Sequence, residues 1–215
     1  MRGSTKKAGE PVEGDTPRID VRAVQLSDAL ALHDIDYSFE TDRIYTFRTQ
    51  NHLLHNDDMP DAGPASVALT FELVETPIDP PYYKNFRKDA NSLADVEQRL
   101  QGSEGGYVAL ANDEIAGGIL LTIDEERSVS RISDLIVGNQ YRRYGVGSLL
   151  LKCAVDWARK RGCWAIVLET QSVNYPAIQL YLRNGLEVWG INQHYYPPGP
   201  IEHEISVLMG MRVTA

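Results

Sequence analysis

Ile132-Ser133-Asp134-Leu135-Ile136-Val137 is followed, after four residues, by Arg142-Arg143-Tyr144-Gly145-Val146-Gly147, and this stretch decides the fold. An apolar β-type run enters a turn, a basic bend carrying glycines follows, and the chain then becomes helical. Val146, Leu149, Leu150, Cys153, Ala154, Trp157 and Ala158 recur at the spacing of one helix face. A strand that turns into a helix through glycines gathers backbone N–H groups at the positive end of the helix dipole, which suits a phosphate. Two common versions of such a bend do not fit. The P-loop lysine is absent, and Leu150 stands where a dinucleotide fingerprint needs its third glycine. Arg142-x-x-Gly145-x-Gly147 remains, with an ordinary tight strand–helix turn as the bland alternative.

Downstream, the helix closes on Arg159-Lys160-Arg161 and Gly162. Ala165 to Glu169 reads as a short buried strand. Pro176 suits the first turn of a second helix that stops at Asn184-Gly185. Glu187 to Tyr196 and Glu204 to Val213 read as the last strands, parted by Pro197-Pro198-Gly199-Pro200.

Upstream, Ser130 to Val137 is preceded by strands Tyr107 to Ala111 and Ile115 to Ile123, turned by Asn112-Asp113-Glu114. Ser92 to Gln101 reads as a helix with Leu93, Val96 and Leu100 on one face. Before it, Ile19 to Val24, Phe39 to Phe47 and Ser66 to Thr76 read as strands, the last ended by Pro77, Pro80 and Pro81. Ser27 is expected to cap a short helix to Asp34. The polar run Asn51 to Pro64 reads as a loop, and residues 1–18 as a disordered leader before one domain over 19–215.

With 215 residues, 43% hydrophobic and 24% charged, the chain can bury a sizeable core. No apolar run approaches a membrane span, and a net charge of −9 argues against nucleic acid as the main partner. Cys153 and Cys163 are separated by roughly 15 Å of helix, too far for a bridge, which points to a reduced, cytoplasmic setting.

The segment Arg142-x-x-Gly145-x-Gly147 resembles the acyl-CoA pyrophosphate loop of the GCN5-related N-acetyltransferase (GNAT) superfamily. Leu168-Glu169-Thr170-Gln171, Asn174-Tyr175-Pro176-Ala177, Leu180-Tyr181 and Asn184-Gly185-Leu186 extend that resemblance, more narrowly to streptothricin acetyltransferases. Leu186 stands where relatives often carry Phe. The superfamily likeness spans about Tyr107 to Val213, and the first hundred residues match poorly.

The resemblance implies an α/β fold with a central, mostly antiparallel sheet, flanking helices and one parallel strand pair splayed apart. It implies acetyl-CoA as co-substrate, with pantetheine along Leu135, Ile136 and Val137. The amides of Arg143, Tyr144, Gly145, Val146, Gly147 and Ser148, beside Arg142, would hold the pyrophosphate, and Asn174 and Ala177 the cofactor arm. Gly145 and Gly147 would let the backbone approach closely. The reaction implied is acetyl transfer to a primary amine of a small cationic molecule, such as a streptothricin-type antibiotic, with resistance as the consequence. Protein N-terminal or lysine acetylation, a non-catalytic acyl-CoA-binding module and an unrelated nucleotide-phosphate binder are the alternatives. Superfamily members are often dimers, so a homodimer is compatible with the resemblance.

Transfer needs a neutral amine, a donor for the oxyanion, with a backbone N–H near Val137 as the candidate, and a proton for the leaving sulfur. Tyr181 stands where relatives place a tyrosine acid; its other reading is core packing. Glu169 and Asp134 are the candidate bases, each with a solvated or structurally paired carboxylate as the competing reading. Glu72, Tyr82, Tyr83, Tyr195 and Tyr196 are weaker acceptor-site candidates. His52, His55, Asp57 and Asp58 lack a third metal ligand fixed by spacing, so no metal is expected. Lys84, Arg87 and Lys88 read as a solvated basic cluster, and Cys153 as a core residue.

Overall fold

The computed structural model describes residues 17–53, 67–86 and 92–213. Residues 1–16, most of the expected Asn51–Pro64 loop with His55, Asp57 and Asp58, and Arg87 and Lys88 lie outside the described residues.

Nine strands and four α-helices alternate along the described chain. The strands are β1 (Ile19–Ala23), β2 (Phe39–Leu53), β3 (Val67–Lys84), β4 (Gly105–Ala111), β5 (Glu114–Asp124), β6 (Val129–Val137), β7 (Ala165–Gln171), β8 (Glu187–Asn192) and β9 (Ser206–Arg212). The helices are α1 (Ala29–Asp34), α2 (Leu93–Gly102), α3 (Val146–Lys160) and α4 (Tyr175–Arg183). Seven strands form one sheet in the order β1-β4-β5-β6-β7-β9-β8, and β2 and β3 pair separately as a long ribbon. Every neighbouring pair is antiparallel except β6 and β7. A crossover through α3 links that parallel pair, as parallel neighbours require.

Local chemistry explains the boundaries. Asn112 and Asp113 both take left-handed backbone angles (φ 49° and 71°), which makes a tight β4–β5 turn matched to strand twist. Ser92 caps α2 by accepting from the Asp95 N–H, and the Asp95 carboxylate takes the Ser92 N–H in return. Gly185 (φ 85°) ends the α4 segment. The sheet buries two cores. One packs α3 and α4 through Leu150, Leu151, Ala154, Ile178 and Tyr181 against Ile119, Leu121, Ile166 and Leu168. The other packs α1 and α2 through Leu32, Val96 and Leu100 against Val108 and Leu120.

Five expectations change. The helix near Ser27 is capped instead by Gln25 and Asp28, with Arg22 holding the Asp28 carboxylate at 2.7 and 2.8 Å. The prolines do not end β3. It passes through Pro77, Pro80 and Pro81, with its pairing to β2 slipping between Thr41 and Arg43, and the missing proline donors fall at that irregularity. β2 likewise continues to Leu53, so Asn51 belongs to a strand. The final strands are shorter than expected: Tyr195, Tyr196 and Glu204 lie in the segment connecting β8 and β9. Cys153 is only half-buried, while Cys163 is buried; both are free thiols.

Candidate active site

β6 pairs with β7 only from Val129 to Arg131, opposite Ala165 to Val167. Beyond that point the strands part. The β6 edge from Ile132 to Val137 therefore offers backbone groups that a bound chain can pair with. Ser133 adds to this geometry. The β5–β6 register passes from Leu120↔Asp134 to Leu121↔Ile132, leaving Ser133 as an inserted residue. The bulge resets the alternation, so Ile132 and Leu135 both pack on the α3 side, while Ile136 packs on the α1–α2 side.

A cavity of about 570 Å³ opens along the unpaired end of β6. Leu135, Ile136 and Val137 line one wall; Arg142, Arg143, Gly145, Val146, Gly147 and Ser148 line the second. Asn174, Pro176, Ala177, Leu180, Tyr181, Arg183 and Asn184 line the third. Of the expected cofactor-binding residues only Tyr144 is absent from the wall; its side chain is exposed. Tyr37, Phe39, Phe86 and Tyr141 complete the lining, and no motif in the sequence announced them.

The bend itself explains its residues. Gly145 is the N-cap of α3 with φ 80°, and Arg143 is also left-handed at φ 66°. No side chain caps this helix, so its first N–H groups remain available at the cavity wall. Alternating backbone handedness before a helix start forms an anion-binding hollow, and a pyrophosphate fits it. The two glycines do different work. Gly145 supplies the left-handed turn. At Gly147 a Cβ would stand 2.8 Å from Leu180 Cδ2, so this glycine lets α4 pack onto α3. Arg142 donates to the Tyr37 carbonyl at 3.0 Å and is half-buried, which pushes its guanidinium pKa down against the pull of Asp36. Its side chain thus ties the segment before β2 to the bend. Asn174 spends its carbonyl oxygen on the Ala177 N–H at the start of α4.

The candidate chemical groups separate. Tyr181 lies in the cavity wall and is buried; burial, reinforced by the Glu169 charge, pushes its phenol well above the ordinary range. It therefore keeps its proton at neutral pH. Glu169, two residues before the end of β7, is not among the residues lining the cavity; it accepts a 2.5 Å hydrogen bond from the Tyr196 hydroxyl. Burial and this bond push the Tyr196 phenol far up. Asp134 lines a smaller neighbouring cavity with Leu32, Val96 and Arg99, which shares Tyr37 and Ile136 with the larger one. Its Oδ2 lies 3.1 Å from Arg99 Nε; burial raises its pKa and Arg99 partly offsets that rise. Glu169 and Asp134 are thus in different settings, one beside a phenol and one beside a guanidinium.

One expectation is overturned. Lys84 is not part of a solvated cluster: its ammonium sits 2.5 and 2.6 Å from the two oxygens of Glu204, and Tyr82 donates to the same carboxylate at 3.0 Å. Both charged side chains are buried. A separation of 120 positions leaves no local spacing by which to foresee the pair. Among the described residues no three His, Cys, Asp or Glu side chains gather as a metal site.

The family profile described as "Acetyltransferase (GNAT) family" matches residues 71–186, more than half of the chain. The chain belongs to the GNAT family. A streptothricin acetyltransferase of Streptomyces lavendulae is 30% identical over 194 residues, covering 88% of this chain and 93% of the relative. The crystal structure of a nourseothricin acetyltransferase superposes with a TM-score of 0.71 at 27% identity, covering 91% of this chain and 99% of that one. A Bacillus anthracis protein solved with acetyl coenzyme A superposes at 0.68 over 91% of this chain and 98% of its own; at 22% identity it speaks to the fold alone. The matched residues include both β6 and β7, which part beyond Arg131 and Val167, and the whole bend from Arg142 to Ser148.

Proposed function

We propose that this chain transfers the acetyl group of acetyl-CoA to a primary amine of a small cationic acceptor of the streptothricin type, inactivating an antibiotic. The observation that carries the donor half is the meeting of the parted β6–β7 edge and the uncapped α3 start in one cavity with Tyr181 in its wall. The acceptor half rests on the streptothricin acetyltransferase likeness over most of the chain and on the Glu169–Tyr196 pair beside Tyr181.

In this reading the α3 N–H groups hold the pyrophosphate, and the β6 edge from Leu135 to Val137 aligns the pantetheine arm. A backbone N–H near Val137 receives the carbonyl oxygen as negative charge builds on it. Glu169 attracts the acceptor ammonium and takes its proton, so that the amine attacks as a neutral nucleophile. Tyr196 donates to Glu169 and fixes that carboxylate's direction. As the new C–N bond forms and the C–S bond breaks, Tyr181 gives its proton to the leaving sulfur, and the proton that the nitrogen loses on becoming an amide restores the phenol. Asp134, already beside Arg99, is the second candidate for the proton acceptor. One domain over residues 19–215 performs these steps, in the reducing cytoplasm that free Cys153 and Cys163 suit. No helix among the described residues is long and apolar enough to cross a membrane.

Thiol release tests the proposal. Purified protein with acetyl-CoA should release free CoA when streptothricin is added, and mass spectrometry should find one added acetyl group on the antibiotic. Turnover only with peptides would move the acceptor to a protein, and CoA binding without turnover on streptothricin, polyamines or peptides would refute the enzyme reading.

A further inference from the structure

The reaction as proposed leaves one buried charged cluster unused. Lys84 and Glu204 face each other at 2.5 Å with side chains 8% and 0% exposed, and Tyr82 completes the carboxylate's bonding. Burying two full charges is costly, and such pairs give little net stability compared with apolar residues of the same size. A role in geometry accounts better for the pair, and its position shows what geometry.

The β2–β3 ribbon contains Lys84, and a ribbon of two strands is marginal in water by itself. Its place comes from ties to both sides of the parted strands. On the β6 side, the Asn139 N–H donates to the Asp36 carbonyl at 2.9 Å, and Arg142 holds the Tyr37 carbonyl. On the β7 side, the Tyr45 N–H donates to the Ser172 carbonyl at 2.9 Å, and Gln179 donates to the Tyr45 hydroxyl at 2.9 Å. The ribbon thus bridges the gap through which donor and acceptor must meet. Lys84 pairs in register with Phe39, and its ammonium lies 5.1 Å from the Phe86 ring; both rings line the donor cavity. Glu204 belongs to the β8–β9 connection that also carries Tyr196, the partner of Glu169.

We propose that Lys84 and Glu204, with Tyr82, are positioning residues that latch the ribbon to the β8–β9 connection, holding Tyr196 against Glu169 and setting the acceptor's half of the site. This rests on the reading of Glu169 as the acceptor-side carboxylate. Neither residue of the pair lines the donor cavity, and the pair acts through Tyr196.

The test replaces both partners, K84M/E204L, so that no charge is left buried alone and the fold is retained. Glu204→Gln is the companion variant, leaving Lys84 unpaired. In K84M/E204L the KM for streptothricin should rise about tenfold while the acetyl-CoA Kd stays within about twofold. Hydrogen exchange should quicken at amides 39–47 and 193–205 and stay unchanged in α3. Glu204→Gln should show the same pattern, with a lower melting temperature added. Unchanged KM and unchanged exchange in K84M/E204L would overturn the latch. So would kinetic losses that only follow the unfolded fraction. If the parent protein does not acetylate streptothricin, the acceptor assignment fails by itself; the exchange comparison then decides the latch, since unaltered protection at 39–47 and 193–205 refutes it.

Discussion

The proposed donor half and the proposed acceptor half of this site are built by opposite means. The donor half comes mostly from one continuous stretch, β6 through α4, with Tyr37, Phe39 and Phe86 added from outside it, and works mainly with backbone: a strand edge without a neighbour and a helix start without a cap. Side-chain identity matters there at few positions, chiefly Gly145, Gly147 and Tyr181. The acceptor half is made of side chains gathered from far apart, Tyr82 and Lys84 with Glu204, and Glu169 with Tyr196. Backbone geometry of the first kind leaves a spacing pattern in the sequence. Gathered side chains leave none, because nothing local requires Lys84 and Glu204 to be any fixed number of residues apart.

Substitutions should split along the same line. Glu169→Gln keeps the Tyr196 contact possible but removes the charge and the proton acceptor, so kcat/KM for the amine should fall about 10³-fold with acetyl-CoA affinity unchanged. A matching loss of acetyl-CoA affinity, measured by calorimetry, would break the separation of the halves. Tyr181→Phe should lower kcat about 10²-fold and leave acetyl-CoA binding nearly intact. No kinetic change would return Tyr181 to a packing role alone. Gly145→Val forces a β-branched residue into φ 80° and should cost the donor half alone. The acetyl-CoA Kd should rise about tenfold, an effect of roughly 1.4 kcal/mol, with the amine KM little altered.

These contrasts also show how far the sequence could be read. The strands from Tyr107 to Val137, α3, β7 and α4 were legible because apolar periodicity, Gly145, Gly185 and Pro176 act within a few residues of where they stand. The Ser133 bulge was not, since an inserted residue shows only against its partner strand. The continuation of β3 through three prolines was hidden for the same reason: a proline ends a strand only where its missing N–H was needed, and the register slip near Arg43 removes that need. Lys84 looked like part of a surface cluster because its neighbours in sequence are basic, whereas its neighbour in space is Glu204.

Alkaline pH acts on the stability of both halves alike. The Tyr181 phenol is raised above its unfolded value of about 10 by burial, so its contribution is full below that pH and is lost as pH rises toward the higher folded value. Each such group gives a slope of up to about 1.4 kcal/mol per pH unit in that window. Chemical denaturation between pH 9 and 11 should therefore show a steep fall for the parent and a shallower one for Tyr181→Phe. Tyr196→Phe should flatten the profile as well, since burial and Glu169 raise that phenol too.

The smallest effect should come from Asp134→Asn, and it bears most closely on which carboxylate takes the proton. Asp134 shares a face of the sheet with α1 and α2, and its Arg99 neighbour would have to give up an ion pair for it to accept one from an amine. Glu169 has a neutral phenol as its partner, which stays in place when the carboxylate is protonated. Asp134→Asn should accordingly change kcat/KM by less than about threefold, against about 10³ for Glu169→Gln. If the two losses are similar, the acceptor enters through the smaller cavity beside Arg99, and the boundary between the halves moves from β7 to β6.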